Sequence, residues 1–444
     1  MGFTGLSPEE RGSMLKAAGV ENIDELFSDI PARLQVKDIK GLPAPLSEIE
    51  IEKLAEETAG RNTLFRKNFA GAGAYSHHVP AAVDEISSRS EFYTSYTPYQ
   101  PEVSQGTLAA IFEFQTMISM LTAMDVTNAS LYDGATAMAE AAMMAARVNG
   151  LSRVLVSRGV HPAYRHVLRT YAWASGLEVV EIPLADGVTD LEKARLLADE
   201  KTSSVIIQSP NFTGIIEETV AFSGMLKESP ALLIAVVTEG ISLGLLRGPG
   251  EYGADIVCGE VQSFGNPLNF GGPYAGYIST RNEYVRKMPG RLVGRTVDAA
   301  GNRAFALTLQ TREQHIRREK ATSNICTNEG LVALRAAVYL SLMGPALRGL
   351  ALLNHNAASY LKDSIAGAGV ETLHGTSPFF NEFVIRPRDA SAFCSAFRRH
   401  GINPGFEMGR YYDEYRGCVL VCATELISQD DAEEYAAIIR KEGI

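Results

Sequence analysis

Between Arg153 and Ser279 short apolar, β-branched runs alternate with helical signals, and this alternation restricts the fold more than any other feature. Arg153 to Ser157, Glu178 to Ile182, Ser204 to Gln208, Leu232 to Val237, Ile256 to Cys258 and Tyr274 to Ser279 read as strands. Helices are expected between them at Pro162 to Ser175, Thr189 to Glu200 and Thr219 to Glu228. Asn128 to Tyr132 adds a further strand-like run. Strands apolar on both faces and joined by helices imply a mostly parallel sheet covered on both sides. Ligands of such sheets sit beyond the carboxyl ends of the strands. Those ends are Ser157–His161, Ser209–Phe212, Thr238–Ile241 and Gly259–Ser263.

The formal charge of −11 argues against a nucleic-acid or anionic-membrane partner, because both need a basic surface. No apolar run approaches the roughly 20 residues that span a bilayer. The N-terminal stretch MGFTGLSPEERGSML lacks a basic region followed by an apolar core and does not complete a myristoylation pattern. The five cysteines, Cys258, Cys326, Cys394, Cys418 and Cys422, form no C-x-x-C pair, so no zinc or redox motif is expected and no metal site is assigned. Buried thiols in a reducing cytoplasm are the expected context.

At 444 residues the chain is expected to hold an arm and two domains. Residues 1–60 read as a helical arm, with capped helices starting at Ser7 and Ser47 around a proline-punctuated connector, PARLQVKDIKGLPAPLSE. Such an arm is either solvated or clasps a partner subunit. Residues 61–329 form the large α/β domain, and 330–444 a smaller α+β domain. Within the first, residues 69–106 show little periodicity and concentrate Gly, Pro, His and Tyr. A long irregular segment in a compact protein tends to be functional or an interface. Tyr93, Tyr96, Tyr99, Glu102, His77 and His78 stand out there. A long helix from Gly106 to Met124 follows. Asp133-Gly134 then opens an alanine-rich helix whose N-terminus could hold a phosphate; the alternative is that Asp133 simply caps it. Later, Arg312, Arg317, Arg318 and Lys320 could bind an anion or line a solvated helix face.

Several stretches carry a more specific signal: YTPYQPEVSQG at 96–106, NPLNFGGPYAGY at 266–277, MPGRLVG at 288–294 and QTREQHIRREKATSNICTN at 310–328. They resemble the P-protein family of the glycine cleavage system, glycine dehydrogenase (decarboxylating), across nearly the whole chain. Length and detail favour subunit 1 of its two-subunit form. The resemblance implies a pyridoxal-phosphate (PLP)-dependent transferase fold of the aspartate-aminotransferase type (fold type I), with a seven-stranded sheet. In the family's other subunit, the loop after the strand at Ile256 carries the lysine that anchors the cofactor. Here Gln262 stands where the family has His and Ser263 where it has Lys. No lysine occurs between Lys227 and Lys287. A serine cannot form an imine with the cofactor aldehyde. Glu239 stands at the strand end where active relatives place the acid for the pyridine nitrogen, and it is read as structural.

The resemblance therefore implies a subunit without its own covalent cofactor or self-sufficient catalytic residues. Subunit 2 would anchor PLP, in an αβ pair or an α2β2 tetramer. Together they would decarboxylate glycine and pass the aminomethyl group to the lipoyl arm of the H-protein, with T- and L-proteins acting downstream. Tyr96, Tyr99 and Glu102, then His77 and His78, are the candidates for completing that site in trans. Two other readings stand beside this one: a purely structural partner of subunit 2, and an independent PLP enzyme using another lysine, such as Lys287.

Overall fold

The computed structural model describes residues 5–36, 39 and 41–444. Met1–Thr4 of the terminus and Lys37, Asp38 and Lys40 of the connector lie outside the described residues. Two compact units are present, Met1–Leu64 and Phe65–Ile444.

The second unit is organised by the seven-stranded sheet. Its strands are β1 (Val126–Thr127), β2 (Arg153–Ser157), β3 (Glu178–Ile182), β4 (Thr202–Gln208), β5 (Leu232–Val237), β6 (Ile256–Glu260) and β7 (Gly276–Thr280). The spatial order is β1-β7-β6-β5-β4-β2-β3. The pairs from β3 through β6 are parallel, while β7 runs antiparallel to β6 and to β1. Side chains alternate between faces along each strand. Ile256 and Cys258 join the cluster under the helix Gly134–Asn149, whereas Val257 joins that under Gln105–Thr122 and Gly330–Met343. Ala137, Ala141 and Ala145 bring Gly134–Asn149 close to the sheet because they add no bulk.

Two expectations need correction. The strand expected at Asn128 to Tyr132 lies at Val126–Thr127, and Leu131 makes only an isolated bridge to Gly276. The segment 69–106 is less irregular than its sequence suggests, since Ala81–Ser87 and Ser90–Tyr93 form short helices. Both begin after an extended residue, Pro80 or Arg89, with no side-chain cap. Their start signals are therefore weak in sequence.

The C-terminal part holds a four-stranded antiparallel sheet. Its own core cluster includes Leu361, Phe383, Phe393, Val419 and Tyr435. Phe69 belongs to that cluster, and Lys67–Asn68 pair with Ile402–Asn403. The long apolar helical stretch 330–367 is broken at Gly344–Ala346 and buries Val332, Leu340, Leu350 and Ala351 in the core.

Candidate functional site

The carboxyl ends of β2, β4, β5 and β6 converge on one crevice, and the chain fills it with its own groups. The segment Gly71–His77 runs through it. Gln262 fixes that segment from both sides: its Oε1 accepts from the Tyr75 N–H at 2.8 Å, and its Nε2 donates to the Tyr75 carbonyl at 2.9 Å. The Tyr75 hydroxyl donates to Glu382 at 2.8 Å, and the other Glu382 oxygen accepts from the Ala72 N–H at 2.6 Å. Burial pushes the Glu382 carboxyl up to about 7.

His161 follows β2 and closes the crevice from the side. Its Nδ1 accepts from Ala163 N–H at 3.1 Å, which leaves Nε2 to donate to the Ala72 carbonyl at 2.8 Å. Burial lowers its pKa to about 4, so the ring is neutral. Gly73 faces this ring with φ +93°, and a Cβ there would come within 2.6 Å of it. Only glycine meets both requirements.

His77 is the charged centre of the crevice. Its Nε2 lies 3.0 Å from Glu239, and its Nδ1 lies 2.9 Å from Glu425. Burial opposes a charge on the ring, but the two carboxylates override it and lift the pKa to about 10. The Glu239 carboxylate also accepts from Ile241 N–H, and Glu425 accepts from Asn354 and from the His78 N–H. This network ties β5, the segment at 77–78 and the C-terminal part together.

The phosphate position suggested by the sequence is also taken. Glu260 places one oxygen 2.9 Å from the Gly134 N–H, at the N-terminus of the alanine-rich helix. Its other oxygen accepts from Val261 and Ala275 N–H groups at 2.9 and 3.0 Å. Asp133 caps the same helix through the Thr136 N–H at 2.7 Å. The Tyr164 hydroxyl packs so closely on Gly134 that a Cβ there would collide with it. The free N–H groups at a helix N-terminus, which can hold a phosphate, here hold a carboxyl oxygen.

These residues do not fit pyridoxal phosphate. Ser263 is buried and its Oγ has no hydrogen-bond partner. The helix N-terminus holds Glu260, the acid at the β5 end is committed to His77, and Tyr75 and His161 fill the space between. Lys287 is exposed on the turn Asn282–Lys287.

A second site opens outward. A cleft of about 320 Å³ lies between the tyrosine segment, the start of the helix Gln105–Thr122 and residues 327–334. Phe92, Tyr93, Tyr96, Ile111 and Leu334 supply its apolar walls, and Thr97, Thr327 and Asn328 its polar ones. Arg291, itself 3% exposed, holds this wall in place. It donates to the Tyr99 hydroxyl at 2.8 Å, to Thr327 at 2.7 Å and to the Cys326 carbonyl at 2.9 Å. Its guanidinium also lies 5.2 Å from the centre of the Tyr99 ring.

Of the residues singled out in sequence, Tyr93 and Tyr96 line the cleft, while Tyr99 lies behind its wall on Arg291. Tyr96 is 84% exposed, and Glu102 is exposed in the turn that follows Tyr99. His77 is turned into the crevice, and the exposed His78 contributes its backbone N–H to Glu425. Arg312 points inward, to the carbonyls of Met288 and Gly290, which corrects both its reading as an anion ligand and its reading as part of a solvated helix face. Arg317, Arg318 and Lys320 are exposed, and only Gln314–Arg317 of their segment forms an α-helical turn. Sequence reasoning missed Glu260, Glu382 and Glu425 because one partner of each, Gly134, Tyr75 and His77 in turn, lies over a hundred residues away in the chain.

The fold is that of the PLP-dependent transferases of fold type I. A glutamate decarboxylase from Lactobacillus brevis shares this architecture, with TM-score 0.68 at 13% identity over 95% of this chain and 96% of that one. The family model described as "Glycine cleavage system P-protein" matches residues 1–439, and the chain belongs to that family. It is 48% identical to the probable glycine dehydrogenase (decarboxylating) subunit 1 of Moorella thermoacetica, over 97% of both chains. It also matches a crystal structure of glycine decarboxylase (P-protein) of the glycine cleavage system in inhibitor-bound form. That match has TM-score 0.92 at 42% identity and covers 99% of this chain and 100% of the other.

Proposed function

We propose that this chain is the non-anchoring subunit of a two-subunit P-protein. It pairs with subunit 2, which carries PLP on a lysine, and the complex decarboxylates glycine and hands the aminomethyl group to the lipoyl arm of the H-protein. The cofactor, held by subunit 2, supplies the electron sink. The observation that carries the reading is the contrast between the two sites. The chain's own strand-end crevice is closed by Glu260, Tyr75, His77 and His161, while the tyrosine cleft opens to the outside.

Tyr96, Tyr99 and Glu102 orient glycine, exclude water and line the access of the lipoyl arm. Arg291 is a positioning residue that fixes Tyr99. The assembly is an αβ pair or an α2β2 tetramer in the cytoplasm, where its unpaired thiols stay reduced. Tyr96→Phe and Glu102→Gln should each lower turnover of the complex about tenfold or more while leaving assembly intact. Unchanged rates in both would leave the chain a purely structural partner of subunit 2.

A further inference from the structure

The tyrosine cleft contains a single unbalanced charge. Among the described residues that line it, Glu329 alone is charged. It holds the N-cap position of the helix Gly330–Met343, where a polar side chain commonly accepts from the N–H groups of the first turn. Glu329 makes no such bond. Its backbone is fixed instead: the N–H donates to Ser130 Oγ at 3.1 Å, and the carbonyl accepts from the Ala333 N–H at 2.9 Å. Its neighbours Asn328 and Thr327 are held by Arg291 at 3.3 and 2.7 Å. The half-buried carboxylate is thus carried on a fixed frame, and no partner meets it among the described residues.

A carboxylate placed so is stabilised by an incoming cation. Burial raises the Glu329 carboxyl above its ordinary range, with no charged neighbour to offset it. Arg291, the cation behind the wall, is turned to Glu313 at 3.5 Å and to the Tyr99 hydroxyl. The walls narrow the choice of cation. Phe92, Tyr93 and Tyr96 present aromatic surface, and Ile111 and Leu334 aliphatic surface. That lining suits an alkyl chain ending in an amine better than a hydrated metal ion, which needs several oxygen ligands. At about 320 Å³ the cleft has the size of a small-molecule site.

Two amines belong to the proposed reaction. Glycine carries a carboxylate beside its ammonium, and a second carboxylate in the cleft repels it. The aminomethyl group on the lipoyl arm has lost that carboxylate and sits at the end of an apolar chain. We propose that Glu329 pairs with the amine of the aminomethyl-loaded lipoyl arm, so that the cleft selects the loaded arm over glycine and over the unloaded arm. This rests on the reading of the cleft as the lipoyl access of a two-subunit P-protein.

The test compares Glu329→Gln and Glu329→Asp in the full chain assembled with subunit 2. Each complex is titrated with glycine and with H-protein whose arm is loaded or unloaded. Glu329→Gln should weaken binding of the loaded H-protein about tenfold or more, the usual worth of a hydrogen bond to a charged group, and leave the affinities for unloaded H-protein and glycine within about twofold of wild type. Glu329→Asp should recover most of the loss. Loaded and unloaded forms weakened alike would overturn the proposal, as would weakened glycine binding or affinities unchanged throughout. Failure of the trans-acting reading looks different: Tyr96→Phe and Glu102→Gln would both keep full turnover. Turnover lowered in those two, with the affinities of Glu329→Gln unchanged, would leave that reading standing and sink the role of Glu329.

Discussion

Replacing His77 with glutamine should cost the isolated chain several kcal/mol, and the cost should depend on pH. The ring sits between Glu239 and Glu425 with side-chain exposures of 2, 2 and 9%. Removing it leaves two buried carboxylates without their cation. The folded pKa of about 10 stands some 3.5 units above the ordinary 6.5, and at 1.36 kcal/mol per unit this is worth about 4–5 kcal/mol. The usual cost of breaking a buried ion pair, about 3–5 kcal/mol, agrees. Because the folded pKa is raised, the stabilisation is fully present below pH 6.5, falls to about half by pH 8 and is lost as pH rises through 10. Urea unfolding of wild type and H77Q at pH 6, 8 and 10 measures this directly. Glu425→Gln in the H77Q background should recover part of the loss, since it removes one stranded charge. A loss under 1 kcal/mol at pH 6, or a gap that does not shrink by pH 10, would refute the reasoning.

Two further outcomes follow from the filled crevice. Burial pushes the Glu260 carboxyl up to about 8, so the folded state is stabilised with the group protonated and loses that stability as pH rises from 4.5 through 8. Glu260→Gln cannot ionise, and its stability measured from pH 5 to 9 should fall less steeply than that of wild type; identical slopes would count against the burial argument. Ser263→Lys should not restore a cofactor site, because Glu260 still occupies the helix N-terminus and Tyr75 the space in front. Borohydride reduction after incubation with PLP should leave that variant without a stoichiometric adduct, and a full adduct would show that the crevice can open.

Much of the fold was legible because it is written in short-range patterns. The apolar runs at Arg153–Ser157 and Leu232–Val237 lie where the alternation put them, and the helix between β2 and β3 spans Pro162–Ser175 as expected. The absence of a lysine at Ser263 was legible from the loop once its resemblance to the family gave the position. The substitutes for the cofactor were not. Nothing local marks Glu260 as a stand-in for a phosphate, since its partners Gly134 and Ala275 meet it only through the sheet. His77 was read as a candidate for completing a site in trans, and its place between two carboxylates was hidden because they lie 162 and 348 residues away. The arm was the opposite case: its caps were visible in sequence, while the absence of any buried side chain among its described residues needed the structure.

The most direct test of the account is the mass of each subunit after the assembled complex is incubated with PLP and reduced with borohydride. The account predicts one pyridoxyl adduct on subunit 2 and none on this chain. A stoichiometric adduct on any lysine of this chain would contradict it and make the chain a cofactor-bearing enzyme in its own right.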